Sequence, residues 1–542
     1  MNYKQSYDDW LNSSILTKEE KETLKKMDEE SIIQAFSSSL SFGTAGMRAV
    51  MGLGPNRLNI YTIRKATLGY ANYLLKYHKK EINKGIVIGY DNRLNSKEFS
   101  EESANILSSK GIKVFLFDKL RPTPEISFAI RELKAIGGII ITASHNPKEY
   151  NGYKVYGEHG HQLTDYKSSL LTCEIEKIDN ALTYIPQKNN SLITLLSSDF
   201  DKIYYKEIKK LSSTNIKKDN FKIVYSPQHG TGLSAIKEIL TSFEYNLFLV
   251  DSQCTIDPYF SNTLSPNPEE KIAYKESIKL AKKINANLIL TTDPDADRIG
   301  VAIKCKQKYT LLTGNEIAIL LLDYILNKKN YPKNSLVISS IVTTSLLKKM
   351  CHKFNITFKE TLTGFKYIGE TITKYENELN FIFAAEESYG YLLSPITRDK
   401  DAIGAALLIS EMACFYNNNN KTLKDRLNKL YKEYGYCYNK TDNVYSDTKK
   451  TTYIMNNLRR HNLTSISNLK ITETQDYLKG YNNFPKSNII KIILEDESFI
   501  AIRPSGTEPK YKIYYNIMAK TKKDALIKFQ NISKELNYII CN

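Results

Sequence analysis

The stretch Ile139-Ile140-Ile141-Thr142-Ala143-Ser144-His145-Asn146-Pro147 sets a short apolar run directly against a polar loop. A run of that length reads as a buried strand, and open α/β sheets bind ligands in the loops at the carboxyl ends of their strands. This loop offers one serine hydroxyl beside an imidazole, with Lys148 and Lys154 following. Serine is a weak nucleophile without a base or a metal. The same residue types also build ordinary surface turns.

A second run gives the first its force. Asp293-Pro294-Asp295-Ala296-Asp297-Arg298 again follows an apolar stretch, Leu288-Ile289-Leu290. Carboxylates at alternate positions can converge on one hard cation if the backbone turns tightly, and Pro294 favours such a turn. A helix–loop–helix calcium site begins similarly, but it needs glycine at its sixth position and glutamate at its twelfth. Here those positions are Arg298 and Lys304. Mg²⁺ completed by a phosphate oxygen is the better reading, with the Arg298 guanidinium for the same phosphate. A hydroxyl nucleophile and a hard-cation site are the parts that phosphoryl transfer needs.

Outward from these loops the pattern alternates. Strands are predicted at residues 85–90, 113–117, 222–225, 247–250, 288–290, 336–339 and 381–383, with helices at 96–109 and 125–134 between the first of them. Such alternation implies βαβ units and mostly parallel sheets. The last hundred residues differ: closely spaced strands at 489–494, 500–503 and 510–517, then a helix over 522–536, predict a small α+β domain with an antiparallel sheet. A chain of 542 residues exceeds one core. The expected division is 1–205 with the serine loop, 206–315 with the metal loop, 316–435 with a sugar loop and 436–542 with a phosphate loop.

Composition excludes several classes. No apolar run approaches the ~18 residues a membrane span requires, and the stretch 317–326, interrupted by Asp323, reads as a buried helix. Residues 1–14 carry Asp8 and Asp9 and no apolar centre, so no secretory signal is expected. Seven singly scattered cysteines argue against a disulfide framework or structural zinc and fit the cytoplasm. The net charge of +17 is spread along the chain without a basic tail, so no nucleic-acid partner is expected.

Two further loops carry polar groups. Ala384-Ala385-Glu386-Glu387-Ser388-Tyr389-Gly390 presents carboxylates and a hydroxyl suited to sugar hydroxyls, although acidic residues also mark a helix start. Arg503-Pro504-Ser505-Gly506-Thr507-Glu508-Pro509-Lys510 combines a guanidinium, hydroxyls, a glycine backbone and an ammonium, which suits an unreactive phosphate or an exposed hairpin turn. Gly52-Leu53-Gly54 has Arg57 where a dinucleotide fingerprint needs its third glycine. His229-Gly230-Thr231-Gly232 lacks the ending of a nucleotide-binding P-loop, so ATP is not implied.

In order along the chain, Phe42-Gly43-Thr44-Ala45-Gly46-Met47-Arg48, residues 142–147, residues 293–298, Thr363-Gly364-Phe365-Lys366, Glu386-Glu387-Ser388 and residues 503–510 resemble the α-D-phosphohexomutase superfamily, and most of all its phosphoglucomutase branch. The resemblance spans nearly the whole chain. It implies three α/β/α domains with mixed, mostly parallel sheets and a smaller C-terminal α+β domain around a central cleft. It implies a phosphoserine at Ser144, Mg²⁺ held by Ser144, Asp293, Asp295 and Asp297, and a sugar 1,6-bisphosphate as activator and intermediate. Arg48, His145 and Lys154 are the implied acid/base candidates. Arg298, Thr363, Gly364, Lys366, Glu386 and Ser388 would meet the substrate, and Arg503, Ser505, Gly506 and Thr507 would clamp the distal phosphate. The Glu-Glu-Ser form points to glucose; mannose and pentose phosphates, and a metal-dependent sugar phosphatase, are the alternatives. The chain departs from the usual pattern at Ala49 and Ala385. The expected partners are sugar phosphates, without nucleic acid or membrane, for a monomer or homodimer.

Overall fold

The computed structural model describes residues 2–43, 46–179, 181–212, 216–460, 463–505 and 510–541. Fully buried apolar strands dominate its first sheet. Gly137–Ile141, Ile86–Tyr90 and Val114–Phe117 lie side by side and parallel, as expected of strands covered on both faces, and the partly exposed Ile193–Leu196 adds a parallel edge. Beyond Gly137–Ile141 the chain returns antiparallel as Tyr150–Gly157, which then pairs with Met47–Val50. Tyr150–Gly157 escapes a pattern-based reading because Asn151 and Lys154 are buried polar residues in it. The register Ile140↔Lys154 brings that lysine beside the strand that delivers Ser144. The helix Ser96–Ser109 matches its predicted span. The next helix, Thr123–Glu132, starts two residues early because Pro124 is tolerated in a first turn.

The second sheet sets Lys308–Leu312, Ile299–Cys305, Leu288–Thr292, Lys222–Ser226 and Asn246–Leu249 in that order; Ile299–Cys305 runs antiparallel to Leu288–Thr292, and the last three strands are parallel. In the third block Thr357–Thr361, Ser335–Ser340 and Asn380–Glu386 pair in parallel. The helix Gly314–Lys328 is buried as expected, and Asp323 within it receives two hydrogen bonds from Arg426, at 2.7 and 2.5 Å. The C-terminal sheet is antiparallel in the order Tyr436–Tyr445, Lys510–Ala519, Phe499–Pro504, Ile490–Leu494, Leu469–Asp476. The helices Thr448–Arg460 and Lys522–Cys541 share its core through Ile454, Leu458, Ile532 and Leu536. A short sixth strand, Ser465–Ile466, pairs antiparallel with Leu469–Asp476. The two long strands that the sequence pattern does not predict, Tyr436–Tyr445 and Leu469–Asp476, are half-exposed and polar.

Three N-terminal helices, Tyr3–Asn12, Lys18–Lys25 and Glu29–Phe36, start at the caps Asn2, Thr17 and Asp28. They bury Trp10, Leu24 and Phe36 against Tyr61. No helix among the described residues is long and apolar enough to cross a membrane. The chain divides into two compact units, one of residues 1–311, 369–375 and 390–414, the other of residues 312–368, 376–389 and 415–542.

Candidate active site

In the first unit Ser144 is buried, 2% exposed, and sits at φ 53°, in the left-handed region that few non-glycine residues adopt. Its surroundings hold it there. The Ser144 N–H donates to Thr142 Oγ1 at 2.8 Å. Arg93, on the loop after the neighbouring strand, donates to the carbonyl oxygens of Ser144 (2.6 Å), Asn146 (2.5 Å), Pro147 (2.8 Å) and Tyr150 (2.8 Å). A buried guanidinium needs a counter-charge, and Asp91 lies 3.3 Å from Arg93 Nε.

The Ser144 hydroxyl donates to Asp293 Oδ2 at 2.8 Å, across 149 positions of chain. Asp293, Asp295 and Asp297 are all buried, with ligand oxygens within 4.8 Å of one another. The turn that gathers them joins the hairpin strands at the register Thr292↔Ile299. Ala296 takes φ 51°, its N–H reaches the Asp293 carbonyl at 3.0 Å, and the Arg298 N–H reaches Asp293 Oδ1 at 3.0 Å. The loop is gripped from outside by Thr231, whose N–H and hydroxyl both donate to the Pro294 carbonyl, at 2.7 and 3.0 Å. Gly230 permits that approach, since a Cβ there would stand 2.5 Å from Pro294 backbone atoms.

Two ammonium groups partly offset the trio. Lys154 Nζ lies 2.9 Å from Asp295 Oδ2 and 4.0 Å from Asp297 Oδ2. Lys400 Nζ lies 3.1 Å from Asp297 Oδ2 and 3.5 Å from Asp399 Oδ1. Burial, reinforced by the charges of Asp297 and Asp295, holds the Asp293 carboxyl well above the usual carboxylate range. Burial pushes Asp295 up too, but the Lys154 ammonium and the hydrogen bonds from Lys154, Asp293 and Thr123, in that order, outweigh it and hold this carboxyl low. Asp295 Oδ1 and Asp297 Oδ1 are buried and meet no hydrogen-bond donor among the described residues. Asp297 Oδ1 faces the Arg298 guanidinium, with Nε at 3.7 Å. Converging buried carboxylates with oxygens free of hydrogen bonds are a donor set that fits a hard divalent cation.

Arg48 Nη1 donates to Asn146 Oδ1 at 3.0 Å on the same serine loop, and half-buried His145 adjoins Ser144. Arg298 Nη1 is engaged by Glu269 at 2.6 Å. These residues thus join Ser144, Lys154 and the trio within one unit.

In the second unit Arg503 Nη1 donates to Thr363 Oγ1 at 2.7 Å, and the Gly364 N–H donates to Glu386 Oε1 at 2.7 Å. Gly364 adopts φ 120°, a conformation that favours glycine. Lys366 is buried with its ammonium 4.9 Å from the Tyr367 ring centre, and Ser388 is half-buried. The Ser505 N–H closes its hairpin on the Lys510 carbonyl at 2.8 Å. Gly506 and Thr507 lie outside the described residues.

Arg93, Thr123 and Lys400 were not among the residues singled out from the sequence. Arg93 and Thr123 each follow a parallel strand at its carboxyl end, so the strand-end rule applied to every strand would have flagged them. Lys400 belongs to the charged run Arg398-Asp399-Lys400-Asp401, which carries no spacing signal.

Models of three consecutive domains match the chain: phosphoglucomutase/phosphomannomutase α/β/α domain I at residues 39–182, domain II at 202–306 and domain III at 313–434. A phosphoglucomutase of Staphylococcus aureus strain MSSA476 is 39% identical over 530 residues, covering 94% of this chain and 93% of the relative. That of the bovine strain RF122 is 40% identical over 529 residues, covering 93% of each. Among solved structures, a phosphoglucomutase/phosphomannomutase family protein of Burkholderia thailandensis superposes with TM-score 0.71 at 16% identity, over 93% of this chain and 98% of its own. The open form of Paramecium parafusin gives TM-score 0.70 at 19% identity, over 93% of this chain and 95% of its own. A serine hydroxyl on a buried aspartate trio, in a chain that these domain models match in order, means that the protein belongs to the phosphoglucomutase/phosphomannomutase family of the α-D-phosphohexomutase superfamily, isomerases that act as intramolecular phosphotransferases.

Proposed function

We propose that this chain interconverts glucose 1-phosphate and glucose 6-phosphate through a phosphoserine at Ser144 and a glucose 1,6-bisphosphate intermediate. The observation that carries the reading is the 2.8 Å hydrogen bond from Ser144 Oγ to Asp293 inside the buried aspartate trio. The family is Mg²⁺-dependent in general. Asp293, Asp295 and Asp297 would hold the ion with an oxygen of the phosphoserine, and the bound ion supplies positive charge against the phosphoryl oxygens.

The phosphoryl group leaves Ser144 Oγ for the sugar's vacant hydroxyl. The Ser144–phosphorus bond breaks, a sugar–oxygen–phosphorus bond forms, and the hydroxyl proton ends on Ser144 Oγ by way of a base. Lys154, His145 and Arg48 are the candidates for that base. The bisphosphate reorients, and its other phosphoryl group returns to Ser144 with the proton moving the opposite way. Burial of Ser144 keeps water from the phosphoserine. In this reading Glu386 and Ser388 read sugar hydroxyls, Thr363, Gly364 and Lys366 form a second sugar-facing loop, Arg298 meets the reacting phosphate, and Arg503, Ser505, Gly506 and Thr507 hold the other. The Glu386-Glu387-Ser388 form and the names of the S. aureus relatives support glucose. The domain limits 1–205, 206–315, 316–435 and 436–542, a monomer or homodimer, and a cytoplasmic setting belong to the same proposal.

A coupled assay with glucose 1-phosphate, mannose 1-phosphate and ribose 1-phosphate, with and without the matching bisphosphate, tests it. Turnover fastest on glucose 1-phosphate and abolished by Ser144→Ala is expected. Release of inorganic phosphate without isomerised sugar would overturn it in favour of a phosphatase.

A further inference from the structure

Thr123 lies 172 positions before Asp295 and belongs to none of the motifs above. It opens the helix Thr123–Glu132, whose N-cap, Pro122, makes no side-chain hydrogen bond. A threonine at a helix start commonly satisfies its own first turn. Thr123 instead reaches Asp295 twice: its N–H donates to the Asp295 carbonyl at 2.9 Å, and its hydroxyl donates to Asp295 Oδ2 at 2.9 Å. Lys154 Nζ donates to the same oxygen at 2.9 Å.

Two donors therefore hold Oδ2, whereas no donor among the described residues reaches Oδ1. A carboxylate can offer either oxygen by rotation about a broad torsion. Here two donors bear on that choice, and one of them, the Thr123 hydroxyl, stands on a fixed post. Arg121, two residues earlier, is tied by its N–H to the Tyr90 carbonyl (3.1 Å), by Nε to Asp201 (2.7 Å) and by Nη2 to Asp118 (3.2 Å). Thr123 itself is fully buried.

We infer that Thr123 is a positioning residue of the metal centre: by holding Asp295 Oδ2 it leaves Oδ1 as the oxygen offered to the divalent cation. This rests on the reading of the aspartate trio as the metal site. Thr123→Val removes the hydroxyl and keeps the shape and the backbone bond; Thr123→Ser keeps the hydroxyl. Binding of Mn²⁺ to the full-length protein is followed by electron paramagnetic resonance, alongside melting temperature and the Mg²⁺ dependence of turnover. The valine variant is expected to bind Mn²⁺ about 10- to 100-fold more weakly, with kcat largely restored at saturating Mg²⁺, while the serine variant stays within about twofold of the parent. Equal Mn²⁺ affinity in the parent and the valine variant overturns the inference. Should the valine variant not fold, Thr123→Ala takes its place with the same two outcomes. A parent protein with no saturable Mn²⁺ binding, or binding that survives Asp295→Asn unchanged, overturns the metal-site reading and this inference with it.

Discussion

The serine–aspartate region of the first unit and the Glu386–Arg503 region of the second are built differently. Ser144, Asp293, Asp295 and Asp297 are all buried, and most of their polar atoms have partners drawn from distant parts of the chain. Arg503, Thr363 and Gly364 are only half-buried, with one hydrogen bond from Arg503 to Thr363 and one from Gly364 to Glu386. Charge that develops during phosphoryl transfer is stabilised best by groups that need not reorganise.

That contrast can be broken by mutation. Asp293→Asn, which replaces a carboxyl oxygen with an amide nitrogen at the most constrained point, should lower kcat on the order of 10³-fold, about 4 kcal/mol, with KM little changed. Steady-state kinetics at saturating Mg²⁺ check it, and a loss under tenfold would show that the buried region is not the reacting end.

The first unit also contains an acid-sensitive group. Burial pushes the His161 imidazole down to about 4, from an ordinary value of 6.5, although its bond to the Gln162 carbonyl works the other way. The folded state thus favours the neutral ring. The stability this provides is complete above pH 6.5 and is lost as pH falls through about 4, up to about 3 kcal/mol. Denaturant unfolding of the parent and His161→Gln between pH 7 and pH 4 should show the variant losing less stability over that window; parallel curves would refute it.

Arg93→Lys removes the fork that grips four carbonyl oxygens and should cost about 10²-fold in kcat through a displaced Ser144. The fraction of Ser144 phosphorylated after incubation with glucose 1,6-bisphosphate, read by mass spectrometry, should fall in step. Arg503→Lys, in the half-buried region, should raise KM about tenfold and leave kcat nearly intact. If it lowered kcat as much as Asp293→Asn, the two regions would not differ in the way their burial implies.

Much of this was legible beforehand, and for a physical reason. Residues 139–147 and 288–298 each hold an apolar strand and its chemical loop within a dozen positions, so local pattern and site coincide. Three α/β blocks and an antiparallel C-terminal sheet follow from the same alternation. Arg93, Thr123 and Lys400 act across 51 to 172 positions or from a charged run without period, and their importance exists only in three dimensions. The glycine of His229-Gly230-Thr231 was noticed for a nucleotide motif it does not complete; its use is to let a neighbouring backbone pass. The strand Tyr150–Gly157 stayed hidden because its buried polar residues are satisfied by partners far away in sequence, as Asn151 is by Ser96 at 2.9 Å.

The left-handed backbone at Ser144 has an evolutionary corollary. Threonine also carries a hydroxyl, yet its branched Cβ is disfavoured at positive φ, at a cost of about 1–3 kcal/mol. Exchange of serine for threonine is therefore disfavoured at this position by conformation, independently of how reactive either oxygen is.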